Sequence, residues 1–240
     1  MNYTVLRRLI HEMLLQEQGS LDPTLRVSGA GLAVCRFSQS GEDLVIIYDP
    51  QKFKEVSGVE EVSEATPWKV RRSIIIKLAK TSIRSGVTYR MNSNCNDSAS
   101  IIQSVSSRGG WGPAAYEVAM WDLSQRGLSL TSDRKNVSPE AANVWMKYSN
   151  RSDRVSKNPF DDIDDPKTPP TRDDCRLHGL DYLNYSYSLN SEPAGLSSME
   201  AAHDAMIDWA TGVWGSSGKD NLEFLLQDAM IDLFSQEYSG

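Results

Sequence analysis

Cysteine and histidine are scarce in this chain. It holds three of each (Cys35, Cys95, Cys175; His11, His178, His203) in 240 residues, with no Cys-x-x-Cys. An odd, scattered set of thiols makes no disulfide framework, and too few soft ligands lie together for a structural zinc site. Reduced thiols in a cytoplasm, and no metal, are therefore expected. No run of about 18 apolar residues occurs, so no membrane-spanning helix is expected. The first segment, MNYTVLRRLIHEMLLQEQG, is broken by Arg7, Arg8, His11 and Glu12, and so lacks the apolar core of a signal peptide. Positive charge is also in deficit. With 25 Lys+Arg against 32 Asp+Glu, the net charge is −7 and no basic block compensates, which argues against nucleic-acid backbone binding.

What is present is the composition of a folded chain, 40% hydrophobic and 24% charged. Its length suits one domain with a tail, or two small domains. Leu6, Leu9, Ile10, Met13 and Leu14 fall at helical spacing. Ala30 to Phe37 and Asp43 to Tyr48 read as a β-hairpin around a short glycine-bearing loop. Thr66-Pro67 offers a cap and a first-turn proline for a helix carrying Val70, Ile74, Ile75 and Leu78, with Gly86 as its stop. Val87 to Met91 and Ser98 to Val105 form a second strand pair around a turn at 92–97. A helix follows, with Pro113 near its first turn and Gly127 past its end, then a short strand from Leu128 to Thr131. Ser138-Pro139-Glu140 caps a further helix with Ala141, Val144, Trp145 and Tyr148. From Ser156 to Arg176 periodicity is lost among four prolines, which predicts a long loop, and Tyr182 to Leu189 alternates as a late strand. Met199 to Trp214 and Leu222 to Phe234 are two helical patterns that share the words DAMIDWA and DAMIDLF. They predict a helical hairpin rather than a repeat architecture.

The distinctive element is the glycine-rich turn Arg108-Gly109-Gly110-Trp111-Gly112 between a strand and a helix. Glycines let an anion approach the backbone, and the helix start offers unpaired N–H groups with the positive end of its dipole. No Gly-Lys-Ser/Thr follows, so this is not a Walker loop. Both the glycine count and the position in the chain fail the dinucleotide fingerprint.

In this order the sequence resembles the GNAT-type N-acetyltransferases, whose signature is a strand, then Gln/Arg-x-x-Gly-x-Gly/Ala, then a helix. The strand SASIIQSVSS, the turn 108–112, the helix AAYEVAMWDLSQRG and the strand GLSLTSD follow it over roughly residues 98–150. The phrase from Gly112 to Tyr148 is also similar to segments of bacteriophage-encoded proteins.

The resemblance implies acetyl-CoA as co-substrate and an amine, small-molecule or protein, as acceptor. Amides from Gly109 to Ala114 (Gly109, Gly110, Trp111, Gly112, Ala114) would hold the diphosphate, with Arg108 adding charge. Backbone groups around Val105, from Ser104 to Ser106, would align the thioester carbonyl. Two departures stand out. The turn is one residue tighter than the consensus counted from Arg108, and Trp145 stands where the family has a thiol-protonating tyrosine. Tyr148 would then be the acid, and Glu117 or Asp133 the base.

The implied fold is α/β (α+β): a mixed, mostly antiparallel GNAT-like sheet flanked by helices over residues 1–190, with a helical extension at 191–240. The rival expectation is a GNAT-like structural or interaction protein without catalysis, such as a phage virion component. It would sit in the host cytoplasm or the virion, and residues 196–240 would meet a second copy or another protein. The six aspartates between 161 and 174 lack EF-hand spacing and read as a solvated loop, not a calcium site.

Overall fold

The computed structural model describes residues 27, 30–39, 41–57, 67–91, 99–108, 110–133, 137–160, 180–190, 199–218, 222 and 226. The expected N-terminal helix, the turn at 92–97, Gly109, the acidic aspartates at 161–174 and most of the last helical stripe lie outside them.

Seven strands build one sheet: β1 (Ala33–Gln39), β2 (Glu42–Tyr48), β3 (Ile83–Met91), β4 (Ala99–Ser107), β5 (Ser129–Thr131), β6 (Val155–Pro159) and β7 (Tyr185–Leu189). The helices are α1 (Pro50–Ser57), α2 (Trp68–Ser82), α3 (Gly112–Gln125), α4 (Pro139–Ser149) and α5 (Met199–Trp214). The strand order is β1-β2-β3-β4-β5-β7-β6. Every neighbouring pair is antiparallel except β4 and β5, which are parallel. Parallel neighbours need a crossover, and α3 supplies it. The fold is thus mixed α/β with a mostly antiparallel open sheet, as expected. Among the described residues no helix is long and apolar enough to cross a membrane.

Alternation along the strands divides the apolar residues between two cores. Ala33, Cys35 and Phe37 of β1 with Leu44, Ile46 and Tyr48 of β2 face α1, α2 and α5. Val34, Val45, Ile47, Val87, Tyr89, Ile102, Leu130 and Tyr187 face α3 and α4. Ala202, Met206, Ala210 and Trp214 of α5 are buried in the first core, together with the helical residues Leu222 and Leu226. The inner stripe of the C-terminal segment is therefore already covered by the sheet.

Several boundaries differ from expectation for physical reasons. The first strand runs from Ala33 to Gln39, not from Ala30. Gly86 does not stop α2. That helix ends at Ser82, where Ile83 turns extended (φ −75, ψ 130) and is buried, while Gly86 sits within β3 opposite Ile46 and Ser106. The N-cap position of α2 is Pro67, with no side-chain bond. The long loop starts later than Ser156, because residues 155–159 pair with β7 as an edge strand. Its polar, exposed residues and Pro159 suit an edge, which is why periodicity hides it. The late strand starts at Tyr185, after a 3-10 turn at Asp181–Leu183. Helix α1 had no counterpart in the pattern; Asp49 Oδ1 accepts from the amides of Gln51 (3.1 Å) and Lys52 (3.0 Å) and so starts it.

Candidate functional site

The pairing of β4 with β5 is short: Ala99↔Ser129, Ser100↔Leu130 and Ile101↔Thr131. Beyond it β4 continues to Ser107, paired with β3 alone. Gln103 is an extra residue on β4, since Ile102 pairs Tyr89 and Ser104 pairs Thr88. A bulge of this kind bends the strand and re-aims its groups. Strand β5 ends at Thr131, so the carboxyl half of β4 runs on without a partner strand on that side among the described residues; open α/β sheets place ligand crevices at such carboxyl ends. Ser104, Val105 and Ser106 line this free edge of β4. Val105 is half-buried against the α3 core, Ser104 Oγ bonds Thr88 Oγ1 (2.7 Å), and the Ser106 carbonyl accepts from Ser85 Oγ (3.0 Å).

The chain then turns. The Arg108 amide donates to the Arg84 carbonyl (2.9 Å), prolonging the β3–β4 ladder, and the Trp111 amide donates to the Arg108 carbonyl (3.3 Å). Gly110 has φ +76, a left-handed conformation that a side chain would strain. Helix α3 follows with Trp111 at its N-cap position, whose side chain does not cap the helix, and Pro113 in the first turn. The Trp111 carbonyl accepts from Ala115 (3.2 Å). The first-turn amides of Gly112 and Ala114 have no acceptor among the described residues, and Pro113 has no N–H to satisfy. Two backbone donors and the positive end of the helix dipole thus follow directly on the carboxyl end of β4, which runs past the end of β5. A Cβ on Gly112 would meet Ser107 Oγ at 3.1 Å, so glycine keeps the helix start close to the strand end.

The guanidinium of Arg108 is turned toward α2, where Nη1 donates to the Lys80 carbonyl (2.6 Å).

Glu117 and Tyr148 are brought together, but inside the protein. Glu117 is 1% exposed and both its oxygens accept from Arg154, Oε1 from Nε at 2.9 Å and Oε2 from Nη2. Tyr148 donates its hydroxyl to the Pro113 carbonyl (3.1 Å). Burial, and then the negative charge of Glu117, push its phenol well above the usual tyrosine range. A carboxylate clasped by a guanidinium fork is a weak base for a substrate proton. Trp145 is buried, edge-on to Tyr116 (centroids 5.3 Å apart) and tilted against Tyr187 (5.2 Å). It is a core residue. Asp133, the other candidate base, follows β5 and is half-buried.

Sequence reasoning missed Arg154, which lies 37 residues from its partner with no local signal to link them. It also missed a second buried network at the other end of α3. There Asp122 accepts from Arg36 (3.0 Å), Arg126 (2.6 Å) and the Tyr89 hydroxyl, and Arg126 also reaches Asp43 (2.8 Å). Only the i, i+4 spacing of Asp122 and Arg126 was readable. Helix α3 is pinned near both ends, which fixes where its first turn stands.

Compared with protein-family models, curated proteins and solved structures, the chain matches none.

Proposed function

We propose that this chain is a GNAT-like acyltransferase that takes an acetyl group from acetyl-CoA to an amine. The observation that carries the reading is the pair of amides at Gly112 and Ala114 that have no acceptor among the described residues, at the helix start that follows the unpaired carboxyl half of β4. The order strand, glycine turn, helix, strand, helix is kept by β4, residues 108–111, α3, β5 and α4. The residues present fit a diphosphate: two backbone donors, a helix dipole, and a glycine at 112 where a side chain would push on Ser107. Bound there, acetyl-CoA would supply the activated acyl group. The chain's own part is to hold it and to offer the open edge at Ser104–Ser106 for aligning the carbonyl.

A ligand of the native state must raise the melting temperature, by about 2.7 kcal/mol of stability at a hundredfold excess over Kd. Acetyl-CoA is expected to do so, and Gly112→Glu, which adds bulk and negative charge at the turn, is expected to abolish the shift. An unmoved melting curve at millimolar acetyl-CoA overturns the reading.

A second reading is favoured by the inward engagement of Glu117 and Tyr148 and by Trp145 in the core. It is a GNAT-like binding or interaction protein without transfer, such as a virion component. Acetyl-CoA binding without thiol release in the presence of a panel of amines supports it, and steady thiol release rules it out. Self-association or a protein partner would then use residues other than the inner stripe of α5. Removing residues 227–240, which spares Leu222 and Leu226, tests that surface by the change in oligomeric mass.

A further inference from the structure

Resting on the acetyl-CoA reading above, we propose that Tyr148 is a positioning residue for the diphosphate site and not the acid of the transfer. Its hydroxyl holds the start of α3 through the Pro113 carbonyl and the Glu117 carboxylate.

The geometry is specific. The phenol oxygen lies 3.1 Å from Pro113 O and is hydrogen-bonded to the Glu117 side chain as well, so both of its partners belong to the start of α3, and Pro113 lies between Gly112 and Ala114. The ring is 7% exposed and edge-packed on Trp145 (6.5 Å), which itself packs edge-on against Tyr116 in the same turn of α3. On its other side stands the Glu117–Arg154 pair, joining α3 to the start of β6. Each group that faces Tyr148 thus belongs to the clasp between α3 and α4–β6. A phenol pushed upward by burial and a neighbouring carboxylate is also less able to give its proton to a thiolate, whose ordinary pKa is near 8.5. Removing the hydroxyl keeps the ring and the core but frees the turn that carries Gly112 and Ala114.

The test compares wild type, Tyr148→Phe and Tyr48→Phe by calorimetric titration with acetyl-CoA, well below the melting temperature. Tyr48 is the matched control, because its hydroxyl donates to the Ala202 carbonyl (3.4 Å) in the opposite core. Tyr148→Phe is expected to weaken Kd roughly three- to tenfold, the effect of one hydrogen bond, while Tyr48→Phe leaves it unchanged. Any turnover at saturating acetyl-CoA should stay within about twofold of wild type, since a positioning role acts on binding. In the ligand-free protein, hydrogen exchange of the Ala115 amide, which the Trp111 carbonyl holds at 3.2 Å, should quicken in Tyr148→Phe alone. If wild type binds and Tyr148→Phe binds as tightly, the inference fails by itself, and lost turnover at unchanged Kd would make Tyr148 the acid. If wild type does not bind, the acetyl-CoA reading fails first and takes this inference with it.

Discussion

Replacing Arg154 with methionine tests the clasp that sets the start of α3. The side chains of Glu117 and Arg154 are 2% and 15% exposed, and both carboxylate oxygens are used by the guanidinium. Removing only the cation leaves a buried, uncompensated charge, which typically costs about 3–5 kcal/mol. Because Arg154 retains some contact with solvent, the lower end applies, about 3 kcal/mol. Against a total stability of about 5–15 kcal/mol this is severe but survivable. It should lower the melting temperature by about 6–12 °C in a chain of this size. The deficit should shrink in acid, where the stranded carboxyl takes up a proton and burial no longer opposes it. The double variant Glu117→Met/Arg154→Met removes both charges from an apolar surround and should recover most of the loss. Guanidinium unfolding followed by tryptophan fluorescence reads all three proteins. An Arg154→Met protein within about 1 kcal/mol of wild type, or a double variant no better than the single, refutes the reasoning.

Three buried phenols predict alkaline sensitivity. Burial, first of all, pushes Tyr48 up to about 12 and both Tyr89 and Tyr148 well above the usual range; the nearby charges of Cys35, Asp122 and Glu117 push the same way. A raised folded-state pKa contributes stability that is complete below about pH 10 and is lost as pH rises from there through the folded value. Stability should be flat in this respect at neutral pH and fall above pH 10 by up to about 1.4 kcal/mol per unit for each phenol, and a flat profile to pH 11.5 contradicts it. Ser138→Ala should cost about 1 kcal/mol by denaturant unfolding, since Ser138 Oγ accepts from the Ala141 amide at 3.2 Å to start α4; a change under a few tenths would contradict the cap.

What was legible in the chain was local. Ser138-Pro139-Glu140 starts a helix because cap, proline and first-turn acid act within four residues, and α4 begins at Pro139 as they require. The glycine turn was readable for the same reason: Gly110 needs its positive φ, Pro113 fits a first turn, and Gly127 (φ +69) follows the end of α3. Met199 to Trp214 matched its helix to the residue, because the apolar stripe is uninterrupted. Strand β6 was invisible, since an edge strand with one neighbour has only Val155 to bury. Gly86 misled because a glycine marks a helix stop and a close-packed strand position alike. The candidate site was half legible. Its backbone donors follow from the turn, but Arg154, and with it the inward fate of Glu117 and Tyr148, depends on chain crossings that spacing does not encode.

The proposed acetyl-CoA site rests on the main-chain donors at the head of α3. The most direct measurement is an amide NMR titration of the isotopically labelled chain with acetyl-CoA, following the resonances of Gly112 and Ala114. The account predicts that both move in a saturable manner, ahead of amides elsewhere in the sheet, and that Gly112→Glu stops the movement. Saturable binding that leaves those two resonances still, or no binding at millimolar acetyl-CoA, contradicts it.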